Sequence, residues 1–269
     1  MTPVFIETIG LAAPGLASWA EAAPVLRAAQ PYAPAPMAPH MPALLQPNER
    51  RRATPAVKLA FQAAEDAMRG TSISPADLAT VFASSDADLN IIHRISSALA
   101  TEQRLISPTD FHNSVHNAAA GYWSIAVGSR LPSSTLSAYD SSFAAGLLEA
   151  SLLVLIDGHD TLLVAFDLPP PEPLLAKRPI GVAAGAALVF TRTVRPDSLA
   201  RIVITATNDA ESQLADASLE SLRLANPAAR ALPLLELIAS QRAGRVVLPG
   251  ARGNLAVEVD RKSTRLNCS

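Results

Sequence analysis

Residues 111–150 read FHNSVHNAAAGYWSIAVGSRLPSSTLSAYDSSFAAGLLEA, and the order of residue types along them decides the fold. The stretch opens with a polar cluster and passes through a small-residue segment at 118–121. It continues through a β-compatible piece at 134–139 into an apolar helix that begins at Ser141 or Ser142. Strand, sharp turn and helix N-terminus together form an arrangement enzymes use for a nucleophile, because the free N–H groups of a first helical turn stabilise developing negative charge. The turn residues here are Ala138, Tyr139, Asp140, Ser141 and Ser142, with no cysteine among them. The helix that follows, 142–157, is apolar almost all round, which predicts burial on every side, and Gly158 closes it.

Working outward, the upstream chain predicts a strand at 4–9 closed by Gly10, a short Ala-rich helix within 16–29, and a proline-rich irregular connection at 31–47. The basic run NERRR at 48–52 reads as the solvated start of a helix rather than a ligand site. Thr54 and Pro55 open a helix that ends at Gly70, with Val57, Leu59, Ala60, Ala63 and Met68 at helical spacing. A strand at 78–83 and a helix at 86–100 with the apolar stripe Leu89, Ile91, Ile92, Ile95 and Leu99 complete this half. Downstream, strands are predicted at 161–166, 182–191, 201–206, 245–248 and 255–259, with a helix at 227–242. Residues 209–225 are polar and poorly periodic. Strands mixed with helices argue for one α/β domain over residues 1–260, a mixed sheet between helix layers. The tail RKSTRLNCS at 261–269 breaks the pattern and reads as a disordered or non-native end.

Composition bounds the function. Nearly half the residues are apolar, aromatics are few, and a net charge of −2 without clustering predicts no nucleic-acid footprint. The single cysteine, Cys268, rules out an internal disulfide and suits a reducing cytoplasm. The start MTPVFIETIG lacks a signal peptide's basic region and apolar run. Apolar runs such as 179–190 are too short to span a bilayer, so a cytoplasmic protein without a membrane span is expected. Gly181 and Gly185 in GVAAG match neither G-x-G-x-x-G nor a Walker pattern, and no cofactor is expected.

The focal stretch resembles the β-ketoacyl synthase family of the thiolase-like fold. The likeness rests on Asn117, the AAA run and Gly121, on Ser124, Ile125 and Gly128, and on STLSAYDSS at 134–142. It is similar above all to the short ketosynthase-like homologues of chain-length-factor type that accompany ketosynthases in aryl polyene and type II polyketide or fatty-acid biosynthesis. The resemblance implies a thiolase-like layered fold with the second half truncated. Active ketosynthases carry a cysteine at the turn, and Tyr139 stands at that position here; a phenol of pKa near 10 is a poor replacement for a thiolate. The family's two catalytic histidines lie in its second half, whereas this chain has none beyond His159.

The implied role is a non-catalytic subunit. It would pair with an active β-ketoacyl synthase as a heterodimer, meet the acyl carrier protein through that complex, and limit the depth of the acyl tunnel. Phe111, His112, His116, Asn117, Ser134, Leu136 and Tyr139 are the expected tunnel or interface residues, with the strand at 134–138 at the interface.

Other readings compete. His112 and His116 are four apart and on a helix would share a face, but H-E-x-x-H is not met and no third ligand is evident, so no metal is expected. Ser141 or Ser142 with His116 is the residue set of a stand-alone serine hydrolase, although G-x-S-x-G is absent and helix capping by Asp140 or a serine is the simpler reading. A condensing or decarboxylating enzyme that works without cysteine is the third. Tyr139 either plugs the old catalytic pocket or lines a cavity through its hydroxyl. Asp157, Asp160 and Asp167 flank a strand without forming a paired acid/base set.

Overall fold

The computed structural model describes residues 2–260. In chain order the strands are β1 (Val4–Ala12), β2 (Ala79–Ala83), β3 (Ser133–Leu136), β4 (Thr161–Asp167), β5 (Ala184–Thr191), β6 (Ala200–Thr207), β7 (Gly244–Leu248) and β8 (Asn254–Asp260). The helices are α1 (Trp19–Leu26), α2 (Pro47–Arg52), α3 (Pro55–Arg69), α4 (Leu89–Leu99), α5 (Pro108–Asn113), α6 (Ala118–Val127), α7 (Ser142–Leu152), α8 (Ala217–Ala225) and α9 (Leu232–Ala239). All eight strands form one sheet in the order β3-β2-β4-β5-β1-β6-β8-β7. β2 pairs parallel with β3 and β4, and the remaining pairs are antiparallel.

One face of the sheet carries α3 and α6, centred on Phe61, Trp123, Phe82 and Val164. The other carries α7 and α9 over Leu163, Leu188, Phe143 and Leu147. β2, β4 and β5 are buried at every position because helices cover both their faces, whereas β6 and β8 hold exposed or half-buried residues. α3 starts as expected: Thr54 accepts from the Val57 N–H, Pro55 occupies the first turn and Gly70 follows the end.

Four expectations change. Gly10 does not close β1; it lies within it, and a Cβ there would stand 2.1 Å from the Ala63 carbonyl oxygen and 2.4 Å from the Ala67 nitrogen of α3. Glycine is what lets α3 lie directly on the strand. The segment 209–225 contains α8, whose start Asp216 caps by accepting from Ser218 and Leu219. The apolar stripe of α4 is mostly uncovered, with Ile91 buried but Ile92 and Leu99 exposed.

The helix after the turn is not buried on every side either. α7 and its π-helical continuation, Leu153–Asp157, pack Phe143, Gly146 and Leu147 inward but leave Leu148, Leu152 and Ile156 exposed at four-residue spacing. With the preceding turn this segment, Tyr139–Asp157, is long and apolar enough to cross a membrane by length and composition. In the fold it is more than half buried, as the helix beneath β2 and β4.

Candidate functional site

The strand–turn–helix arrangement is present: β3 leads through a turn at Tyr139–Ser141 into α7. Tyr139, a bulky residue, holds φ +55°, a left-handed conformation that costs about 1–3 kcal/mol and is sustained only when the surroundings impose it. The surroundings here are specific. The Ser142 hydroxyl accepts from the Ala138 N–H at 3.0 Å and donates to the Tyr139 carbonyl at 2.7 Å, closing the turn on itself. Neither Asp140 nor a serine caps the first turn of α7, contrary to the capping expectation: the Asp140 carboxylate is turned to Arg178 and the Ser142 hydroxyl to Ala138 and Tyr139.

Asp140 is paired with Arg178 at 2.6 Å, and the same guanidinium reaches Asp86 at 2.8 Å and lies 3.6 Å from the centre of the Tyr139 ring. Tyr139 lies at the surface of this chain. It stacks on a buried cation and leaves 56% of its surface exposed. Beneath it, Asp167 at the end of β4 is 2% exposed and accepts from the Ser84 and Ser85 hydroxyls and the Ser85 N–H. Burial pushes its carboxyl up to about 7 despite those hydrogen bonds.

The histidines fall in a different place from the serines. α5 ends at Asn113, so His112 and His116 do not share a helix: His112 sets its ring edge-on to Tyr122, and His116 meets the Ser137 hydroxyl at 2.6 Å. That hydroxyl donates to the Ser84 carbonyl, so His116 must supply the proton of their shared hydrogen bond and cannot act as base toward Ser137. Ser142 is 1% exposed with its hydroxyl fully used, and His116 bonds Ser137 rather than Ser141 or Ser142, which removes the geometry the hydrolase reading required. Among the described residues no cluster of three or more metal-ligating side chains occurs. Asp160 pairs with Arg195, away from Asp167.

Phe111 and His112 are exposed on α5, and His116 and Asn117 in the connection to α6. Beside them a slot lined by Val57, Asn113, Val115, His116, Ala119 and Phe166 holds only about 10 Å³, room for one water.

The strand before the turn is the outer edge of the sheet. The Pro132 and Leu136 carbonyls accept from Thr80 of β2 and from Ser84 just after it, so by the two-residue period Ser133 and Thr135 direct their N–H and C=O groups away from the sheet. On one side of this edge α6 presents Gly121, with open space where a Cβ would be, and Ile125, 78% exposed. On the other, α7 presents Leu148, Leu152 and Ile156. Leu136 itself is half-buried and packs on the inner core, while Ser134 donates to Glu149 of α7 at 3.0 Å. The opposite edge is covered at Val247 of β7, which exchanges two hydrogen bonds with Ser212, N–H to hydroxyl and carbonyl to N–H.

The family profile "Beta-ketoacyl synthase, N-terminal domain" matches residues 18–245, which include strands β2 to β6, the turn and both helix layers. The chain belongs to the β-ketoacyl synthase family. No curated protein matches it. Among solved structures this ketosynthase-family chain is similar to the ketosynthase (ApeO) in complex with its chain length factor (ApeC) from Xenorhabdus doucetiae, at 24% identity, TM-score 0.72, covering 96% of this chain and 100% of that one. It is similar to the ishigamide ketosynthase/chain length factor at 15% identity and TM-score 0.72, with 96% and 99% covered. A type II polyketide synthase acyl-carrier protein complex with its ketosynthase, AntDE:AntF, gives 12% identity and TM-score 0.73, with 97% and 100% covered. At these identities the likeness establishes the thiolase-like fold.

Sequence reasoning missed the Arg178, Asp86 and Asp167 cluster of this ketosynthase-family chain. The polar SSDAD that follows β2 was a signal for part of it. Arg178 comes from a proline-rich loop and is joined to the turn only by folding. Arg223, on α8, is 2% exposed and bonded to Glu220 and Glu211.

Proposed function

We propose that this chain is a non-catalytic subunit of chain-length-factor type that pairs with an active β-ketoacyl synthase and completes and limits that partner's acyl tunnel. The pathway class would be polyketide or fatty-acid-like biosynthesis, with aryl polyenes the leading product type. The observation that carries the reading is the unpaired β3 edge, flanked by the uncovered apolar residues of α6 and α7. Such an edge is an aggregation hazard unless another chain adds a strand to it. The turn supports the non-catalytic half of the reading, since Tyr139 offers no thiolate and is held by the Ser142 hydroxyl on its carbonyl and by Arg178 on its ring. The tunnel would form between the two chains, where Phe111 and His116 are exposed, and acyl carrier protein would be met through the complex.

The test is co-expression with an active ketosynthase from the same gene cluster. Thr135→Pro removes an outward N–H and leaves the bonds to β2 in place, so the fold survives and capture of the ketosynthase is lost. Leu136→Asp is unsuitable because Leu136 is packed on the core. Arg252→Asp, exposed in the β7–β8 hairpin at the far end of the sheet, is the control. A Thr135→Pro chain that still co-purifies, or unchanged products when the chain is omitted, overturns the reading.

A further inference from the structure

We propose that Glu149 makes the β3 docking face reject a second copy of this chain and select a non-identical subunit of the same fold that places a cation opposite it; this rests on the subunit reading above. The centre of the face is otherwise uncharged: Gly121, Ile125, Ser133, Thr135, Leu148, Leu152 and Ile156. Arg130, after α6, and Asp157, at the end of the π-helical turn, are exposed at its rim. Among the described residues Glu149 alone puts a charge in the middle, half-buried between Leu148 and Leu152 and held over the edge strand by the Ser134 hydroxyl. One hydroxyl donor orients a carboxylate without neutralising it.

Symmetry turns this charge into a selector. Two identical chains would meet through the same patch on each, β3 against β3, about a two-fold axis. β3 is only four residues long, so Ser134 lies within about two residues of any such axis. With the axis at Thr135, the two Ser134 positions would be about 8 Å apart, from strand spacing and rise per residue. An axis perpendicular to the sheet keeps α7 of both copies on the same side, so both Glu149 carboxylates would share one apolar cleft. Like charges at that separation weaken pairing by roughly ten- to thirtyfold in Kd. A partner chain with Lys or Arg at the facing position converts the penalty into attraction, while the edge hydrogen bonds and apolar contacts stay the same.

The experiment uses the full chain and its own variants as probes. Sedimentation velocity over the micromolar range compares wild type, Glu149→Gln, Glu149→Lys, and an equimolar mixture of wild type with Glu149→Lys. Expected results are a monomeric wild type, self-association of Glu149→Gln at least tenfold tighter, and a mixed dimer tighter than either pure sample and weakened by salt. Adding Thr135→Pro to Glu149→Gln abolishes the dimer, which assigns it to this edge. Melting temperatures establish that each variant is folded; should Glu149→Lys fail to fold, the Glu149→Gln comparison decides alone. A stable wild-type homodimer, or equal self-association of wild type and Glu149→Gln, overturns the charge selection. That failure leaves the subunit reading standing if Thr135→Pro still blocks ketosynthase capture, whereas capture by Thr135→Pro overturns both.

Discussion

Gly121→Leu should raise the stability of the isolated chain and destroy its pairing, and the opposite signs make it a sharp probe. Gly121 sits inside α6, and no atom lies within 4 Å of the position its Cβ would take. Leucine therefore enters without an internal clash. A glycine in a helix interior is about 0.8–1 kcal/mol less favourable than alanine, and leucine is close to alanine. The expected gain is roughly 0.5–1 kcal/mol, or about 1–4 °C in Tm for a chain of this size. A subunit added at β3 would cover the same open face of α6, and there the four extra carbons would overlap it. Overpacking of a close contact costs about 1–3 kcal/mol, a loss of pairing of about five- to 150-fold. Differential scanning fluorimetry of the chain alone and co-purification with the ketosynthase supply the two readouts. A fall in Tm would mean the face is already covered within the chain. A rise in Tm with undiminished pairing would mean the partner does not approach α6, and the interface argued from the β3 edge would be wrong.

Three further outcomes follow from the same geometry. Gly10→Ala would force a Cβ onto the α3 backbone at 2.1 Å and should destabilise the chain by about 3 kcal/mol, measured by urea unfolding; a loss below about 1 kcal/mol would show that α3 can shift away. Asp167 keeps its proton up to about pH 7 in the folded chain, whereas the unfolded chain releases it near pH 4. Its contribution to stability is thus full below about pH 4 and is lost as pH rises through about 7, at no more than about 1.4 kcal/mol per pH unit. Asp167→Asn should flatten that slope in unfolding titrations, and an unchanged slope would refute the assignment. Arg178→Met leaves Asp86 and Asp140 without their shared cation and should cost about 2 kcal/mol, discounted because both acids are partly exposed. Adding Asp140→Asn should recover part of the loss, and a double variant no better than the single would refute the coupling.

Periodicity and capping signals were enough to read most of the elements. Strands β2, β4 and β5 announced themselves as unbroken apolar runs because both their faces are covered, and α3 announced its start through Thr54 and Pro55. The absence of cysteine at the turn was legible from the chain alone, since identity at one position needs no folding. α8 was not legible: its inward face is Leu219, Leu222 and the aliphatic part of a buried Arg223, and an ion-paired arginine reads as surface in any hydropathy pattern. Nor could spacing along the chain show that His116 would meet Ser137 rather than Ser141 or Ser142, because α5 ends before it and the turn at Tyr139 aims the serines inward. Arg178 reaches Asp86, 92 positions away, and Asp140, 38 away, contacts that no local signal encodes. Exposure was settled last and only in three dimensions. The sequence marks Leu148, Leu152 and Ile156 as apolar, but only the position of α7 beside the last strand of the sheet leaves them in water, since burial depends on which neighbours folding supplies.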